Sequence, residues 1–512
     1  MQDLALSAKG ENVVNAQSRP LPEPGVDART GWLALAAALT ALAAFRLVAL
    51  ALNGTDLHMD EAQYWDWAQQ PAFGYFSKPP LLAWIIAATT AVCGDGEFCV
   101  RLPAVVLHLV TAALVYAVAR RLYTPLVAML SALAYALLPA VSLSSGIITT
   151  DIPLLAAWAL ALLAFTCLLE RPNAPDAILL AIALGLGLNA KYAMAYFILC
   201  AAIYFAIAPA ARKLLRTPHL WLALVAGLAM IAPNVLWNID NGFVTFSHTA
   251  DNAKWGGIPF HPGKAAEFFV AQFGVFGPIV FGSLLVVTWQ MMRRPESRTS
   301  SDVLLASFSI PIIALVTTQG LISRAHANWA APAYVAAIVL VTAVMVRNKA
   351  WGWLRASFAI HAAVAILIAA ATWQAGRYTI PVVGDPFART LGNRALADTV
   401  REEIQKAADG PAPIRAIVTD EREAAAALAY YGRDIPLPQL AMRPRATPQN
   451  HFEMTRPLTP GGPEPVLYVT RRATSVPEGR FRAASAPSER SVRAGQQTET
   501  YRFFTLLATG NK

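Results

Sequence analysis

Long apolar runs separated by short polar joints fill the chain from Trp32 to Trp373. Eleven can be counted, at residues 32–52, 104–119, 126–142, 152–169, 176–189, 192–209, 219–237, 267–290, 303–318, 330–346 and 353–373. An α-helix rises about 1.5 Å per residue, so about 20 apolar residues match a hydrocarbon core about 30 Å thick. The pattern predicts a mainly α membrane protein, a multi-span helical bundle of about 11 spans. A further apolar segment, residues 79–92, is short and opens on two prolines. It is expected to lie along the membrane or re-enter it rather than cross. Residues 1–30 hold Pro20, Pro22, Pro24 and Gly25 without hydrophobic periodicity and read as a flexible cytoplasmic tail.

After Trp373 the spacing changes. Residues 414–419 and 466–470 have strand character, residues 421–430 suit a helix, and residues 501–507 suit a last strand. The chain therefore divides into the tail at 1–30, a transmembrane domain at 31–373 and a soluble extracytoplasmic α/β domain at 374–512. The last module shows no convincing catalytic set, so support or partner contact is its expected role.

Composition agrees with the membrane reading: 56% of residues are hydrophobic and 14% are charged, where soluble proteins carry about a quarter charged. The net charge of +9 does not point to nucleic acid, because the basic residues are dispersed and no zinc-finger or RNP-like pattern accompanies them. Topology accounts for them. One set of joints holds twelve, at Arg120, Arg121, Arg171, Arg212, Lys213, Arg216, Arg293, Arg294, Arg298, Arg347, Lys349 and Arg355. The alternate set holds six, at Lys78, Arg101, Lys191, Lys254, Lys264 and Arg324. Basic loops stay in the cytoplasm. The expected location is thus the cytoplasmic (inner) membrane, multi-pass, with a cytoplasmic amino terminus. Loops 53–103, 143–151, 238–266 and 319–329 and everything after residue 374 then lie outside.

Those external loops carry the unusual chemistry. The first contains His58, Asp60 and Glu61, then Tyr64, Trp65 and Trp67, then Tyr75-Phe76-Ser77-Lys78-Pro79-Pro80. The aromatics belong to the types that settle at headgroup depth, so a short helix here holds its acids near the lipid surface. Two readings stay open on spacing alone: the acids do chemistry, or they cap that helix. Lys78, stiffened by the prolines, is likewise either a snorkelling lysine or a phosphate clamp. Arg324, His326 and Asn328 read either as a cap before the next helix or as a wall for phosphate and sugar hydroxyls. Loop 238–266, with His248, Trp255, Gly256, Gly257 and His261, is long enough to act as a lid, and its histidines lack metal-motif spacing.

The combination of Asp60-Glu61, Tyr75 to Pro80 and Arg101-Leu102-Pro103 resembles bacterial GT-C glycosyltransferases of families 39 and 83, which use polyprenyl-phosphate sugars. These are related to the protein O-mannosyltransferases and to the lipid A aminoarabinose transferase. The resemblance continues through Thr150-Asp151-Ile152-Pro153, Asn189-Ala190-Lys191-Tyr192, Pro233-Asn234 to Asn238, and Ser323 to Tyr334. It implies a GT-C bundle with catalytic Asp60, Glu61 and Asp151. Lys78, Lys191 and Arg324 then bind the donor phosphate, and His58, Tyr75, His326 and Asn328 contact substrate. The implied partners are a polyprenyl-phosphate sugar donor, membrane lipids and an envelope acceptor: lipid A or another glycolipid, a polysaccharide or a protein.

No cofactor is required by this chemistry. The phosphodiester is already activated, an acid near the surface suits a general base, and direct displacement inverts the anomeric centre. Acids that instead orient the donor through a divalent cation are the other role. Ser77 stands where the aminoarabinose transferases carry Glu, which puts any metal site built on that Glu in doubt. Cys93 and Cys99 flank a glycine-bearing external turn where an oxidising compartment allows a disulfide, whereas Cys167 and Cys200 lie in apolar runs. The alternative function is a transporter or flippase of lipid-linked sugars, and a scaffold is a third reading. Neither explains acids and lysine clustered beside interfacial aromatics.

Overall fold

The structure is a computed structural model and describes residues 28–253, 260–381, 384–408, 413–472, 481–483 and 487–508. The expected tail falls outside the described residues up to residue 27, as do Trp255, Gly256 and Gly257 of the expected lid. Among the described residues six helices are long and apolar enough to cross a membrane: Trp32–Ala51, Glu97–Leu122, Asp151–Glu170, Pro218–Asp240, Ser300–Ile322 and Trp351–Trp373. Shorter apolar helices at Pro125–Leu137, Ala174–Ala190, Tyr192–Ile207 and Ala333–Arg347 occupy four more of the apolar runs. The segment behind the double proline forms the helix Leu81–Cys93, about 20 Å long by its rise per residue and too short for a straight crossing.

One expected span is not straight. Residues 267–290 fall on two helices, Pro262–Val275 and Pro278–Arg293, bent by 116°. Pro278 has no N–H to continue the first helix, and Gly277 before it takes φ +95°. A Cβ at Gly277 would lie 2.0 Å from His361 Nε2, so both the turn and the close approach demand glycine.

The Ala333–Arg347 helix is buried along nearly its whole length and forms the axis of the bundle. Trp158, Phe165, Phe197 and Phe308 pack beside it, Phe197 edge-to-face with Trp158 and Phe165, and Phe308 tilted against Phe165 and Phe197. Arg46, the lone charge of the first span, is buried and donates to the Ala136 carbonyl, near the end of the Pro125–Leu137 helix where the backbone ladder is interrupted.

The C-terminal region builds a six-stranded mixed sheet from β1 (Ala416–Thr419), β2 (Gln439–Ala441), β3 (Val466–Thr470), β4 (Phe481–Ala483), β5 (Ser488–Ala494) and β6 (Gln497–Ala508). Its order is β2-β1-β3-β6-β4, with β5 also on β6. The β1 pairings are parallel, and β6 pairs antiparallel with β3, β4 and β5. Helices Asn393–Ala408 and Arg422–Tyr431 cover the face that meets the membrane domain.

That meeting is a shared core, because Trp65, Ile148, Tyr430 and Phe503 belong to one buried cluster. Polar links surround it: Tyr431 Oη accepts from Leu57 N at 2.6 Å, Tyr430 Oη donates to the Asp95 carbonyl at 2.6 Å, and Trp65 Nε1 donates to Asp95 Oδ1 at 2.7 Å. The Cys93–Cys99 disulfide closes the loop that presents Asp95 and Glu97.

Candidate active site

The helix Met59–Gln69 begins with a reciprocal cap. His58 Nδ1 accepts from Asp60 N at 3.3 Å, while Glu61 Oε2 accepts from His58 N at 2.9 Å. Glu61 also takes Arg101 Nε at 2.9 Å and Nη2 at 2.7 Å, plus Ile148 N at 2.8 Å. Both oxygens are filled and the side chain is buried, so the capping reading applies to Glu61. It joins the loop after the first span, the Glu97–Leu122 helix and the loop before Asp151.

Asp60, one residue earlier, has a different environment. Its carboxylate pairs with Arg422 of the C-terminal domain, whose Nε also donates to Gln63 Oε1 at 2.8 Å. Burial alone would raise the Asp60 pKa, but Arg422, His58 and Lys78 outweigh it and hold the carboxyl below its usual range. Beside it, the Tyr64 phenol is fully buried, which keeps it protonated.

Lys78 is brought to the same place by the loop that Tyr75 folds. The Tyr75 ring stacks on Trp67 at 4.6 Å, and its hydroxyl donates to the Trp67 carbonyl and accepts from Ala72 N, both at 3.0 Å. Tyr75 is therefore buried in a packing task, with its hydroxyl committed to the backbone of its own loop. Asn234 ties this loop to the bundle, donating to the Phe73 carbonyl at 2.8 Å and accepting from Tyr192 Oη at 2.7 Å. Lys78 has no carboxylate within salt-bridge distance among the described residues. Burial, then Lys191, depress its ammonium pKa below the ordinary lysine value, partly offset by Asp60 and Asp151.

Asp151, at the start of its helix, accepts from Lys191 Nζ at 2.7 Å and from Asn328 Nδ2 at 2.7 Å. The structure thus unites three residues read separately from the sequence. His326 stands nearby; burial, Arg324 and Lys191 lower its pKa, and its ring meets Trp329 edge-on. His248, on the Val244–Ala253 helix, packs on Phe76, and burial, Lys78 and Arg422 push its pKa down to about 4. It is a neutral imidazole facing the cluster.

Among the described residues no three His, Cys, Asp or Glu side chains gather closely enough to hold a metal ion. Asp60 and Asp151 instead hold a guanidinium and an ammonium. Ser77, at the position of the family's Glu, is buried. The residues present do not fit a divalent-cation site, and no step is drawn through one.

The arrangement is a half-buried cluster of Lys78, Lys191 and Arg422 with Asp60 and Asp151, beside histidines and asparagine. The sequence reading missed Arg422, Gln63 and His248 as neighbours of Asp60. Arg422 opens the helix expected at residues 421–430, in a domain expected to serve support, and no local pattern tied it to Asp60.

Over 447 residues, 87% of this chain and 91% of the relative, the sequence is 34% identical to a lipid A galacturonosyltransferase of Rhizobium johnstonii. The chain belongs to the GT-C glycosyltransferases. A model of the dolichyl-phosphate-mannose-protein mannosyltransferase family matches residues 77–237 of the enzyme. Its fold is similar to that of ArnT from Cupriavidus metallidurans in the apo state, with TM-score 0.64 and 15% identity across 93% of this chain and 98% of that one. The undecaprenyl-phosphate-bound form of ArnT is similar to the same degree, with TM-score 0.64 and 16% identity. The enzyme is a membrane glycosyltransferase, and the carrier and scaffold readings fall away.

Proposed function

We propose that the enzyme transfers a uronic acid sugar, galacturonic acid as in its relative, from a polyprenyl-phosphate carrier to a lipid A-type glycolipid at the outer face of the cytoplasmic membrane. The observation that carries this reading is Lys78, a half-buried cation without a salt-bridged acid among the described residues, set in electrostatic reach of Asp60 and Asp151. A polyprenyl-phosphate sugar supplies the anion such a cation lacks. ArnT, of similar fold, has been solved with undecaprenyl phosphate, which supports a polyprenyl carrier here.

The chemistry follows from the groups present. An acceptor hydroxyl oxygen attacks C1 of the sugar as the C1–oxygen bond to phosphate breaks. The hydroxyl proton passes to Asp60, and the carrier leaves as a polyprenyl monophosphate with one more negative charge. Lys78, supported by Lys191, stabilises that developing charge. Asp151 holds Lys191 and Asn328 in place, and Glu61 positions the loop through Arg101. Single displacement inverts the anomeric centre.

The test is transfer by the purified enzyme. Polyprenyl-phosphate galacturonic acid with lipid A is expected to give the glycosylated lipid without any nucleotide sugar. Asp60→Asn should slow transfer about 100-fold or more if the acid is the base, and Lys78→Ala should raise the donor KM. Transfer from a soluble nucleotide sugar alone would refute the donor assignment. A carboxy-terminal reporter fusion active only in the cytoplasm would refute the orientation.

A further inference from the structure

Two acid–arginine pairs stand side by side at the Met59–Gln69 helix, and they differ in access. The Glu61–Arg101 side chains are 3% and 1% exposed, whereas Asp60 and Arg422 are 41% and 30% exposed. The first pair is sealed, with four hydrogen bonds on the carboxylate. The second can be reached by a molecule in the site.

We infer that Arg422 selects the acidic sugar: its guanidinium takes the carboxylate of the donor's uronosyl ring and thereby releases Asp60 to act as base. This rests on the uronosyl donor proposed above and deepens it. Lys191 is held by Asp151, and Lys78 faces the one charge of the phosphodiester. The sugar carboxylate brings a second negative charge into a partly dry cluster, where it requires a cation of its own. Arg422 is close by, partly exposed, and its planar fork carries five N–H donors, of which the contacts to Asp60 and Gln63 leave several free. A bidentate guanidinium–carboxylate contact is the arrangement that shape favours. With a neutral hexose no anion competes for the guanidinium. Asp60 stays paired, and its lone pairs remain turned to Arg422 instead of the acceptor hydroxyl. Discrimination therefore enters both in binding and in the proton transfer.

The experiment compares two synthetic donors, polyprenyl-phosphate galacturonic acid and polyprenyl-phosphate galactose, with lipid A as acceptor and full-length reconstituted enzyme. They differ only in a carboxylate against a hydroxymethyl group. The wild type is expected to prefer the uronosyl donor by about 100-fold in kcat/KM, the order expected when a charge-assisted guanidinium–carboxylate contact is lost. Arg422→Gln should reduce that ratio to within about tenfold, and Arg422→Lys, which keeps charge without the fork, should fall between.

If Arg422→Gln lowers both donors equally, Arg422 serves only Asp60 or domain docking and the inference fails. It fails equally if the ratio responds to Arg324→Gln and not to Arg422→Gln. A wild type that prefers the galactosyl donor overturns the uronosyl reading together with the inference. A wild-type preference left intact by Arg422→Gln overturns the inference alone. Should the variant turn over neither donor, the protection each donor gives against thermal unfolding reads the same ratio as binding, and an unchanged ratio there counts against Arg422.

Discussion

Glu61 and Asp60 are adjacent acids on one short helix, and the structure predicts opposite consequences for them. Glu61→Gln keeps the shape and removes the charge. The amide oxygen can still accept from Arg101 or Ile148, but the NH2 group then faces donors at the other oxygen's place, where Arg101 Nη2 at 2.7 Å and His58 N at 2.9 Å now have no acceptor. Arg101, 1% exposed, loses its carboxylate and keeps the carbonyls of Thr55 and Asp56, at 3.2 and 2.9 Å, with at most one contact to the amide oxygen. Breaking a buried pair by removing one partner costs about 3–5 kcal/mol. For a protein this large that should lower the apparent melting temperature by several degrees. Ile148 and the capped helix are held by the same carboxylate, so the loss extends to the shared core below the C-terminal domain. The assay is thermal unfolding of the detergent-solubilised enzyme, paired with transfer rates well below the transition. Glu61→Gln is expected to melt early while the folded fraction still transfers sugar; Asp60→Asn is expected to melt near wild type while transfer collapses. A Glu61→Gln enzyme with unchanged melting and abolished turnover would refute the reasoning and return Glu61 to the chemistry.

Because burial and Lys191 depress the Lys78 pKa, its ammonium loses its proton below the ordinary lysine value near 10.5; kcat/KM for the donor should fall on the alkaline side before that pH, and Lys78→Arg should move the limb upward. Since Asp60 is held below its usual carboxyl range, its charged form and the pair with Arg422 persist above that depressed pKa and are lost only as pH falls through it. Proteolysis of the C-terminal domain in intact enzyme should therefore stay slow down to about pH 4. Asp151→Asn removes the partner of Lys191 and should weaken donor use, read as KM rising more than kcat falls. Cys93→Ser with Cys99→Ser frees a short loop whose closure is worth about 2 kcal/mol, and the expected result is earlier loss of domain docking on heating, matched by reductant on the wild type.

Much of the bundle was legible because helix length and apolar composition are local properties. The runs ending at Leu52 and Trp373 map directly onto helices, and the Leu81–Cys93 helix was readable from its two prolines and short length. The bend at Gly277 was not, since it depends on a contact with His361 about eighty residues away along the chain. Asp60, Lys78, Asp151, Lys191 and Asn328 were each visible as polar residues in loops between apolar runs. Their union was not, because residues 60, 151, 191 and 328 meet only when four connections converge. The packing of Tyr75 was not legible for a related reason: an aromatic with a polar tip serves a substrate or a backbone turn equally well, and the stack on Trp67 exists only in the fold. In the C-terminal region the hydrophobic strands β1 and β3 stood out. Short β2 and β4 and the polar, alternating β5 did not, because their burial depends on a neighbouring strand.

The placement of Arg422 explains why the C-terminal domain is docked so firmly. A domain that only covered the bundle would need an apolar seam, and the cluster around Trp65 and Tyr430 supplies one. Yet the seam is ringed by directional contacts to the loop carrying the acids: Arg394 to Glu97 at 2.6 Å, Asn393 to the Leu57 carbonyl at 2.9 Å, and Arg456 to Asp66. Such contacts fix register, since each tolerates only a few tenths of an ångström of sliding. Register is what a guanidinium opposite Asp60 requires, because a displaced Arg422 would leave the partly exposed Asp60 carboxylate unpaired and the cluster short of a cation. The firm docking and the cross-domain ion pair thus go together: the sheet domain is held against the loop after the first span, and it carries Arg422 of the candidate site.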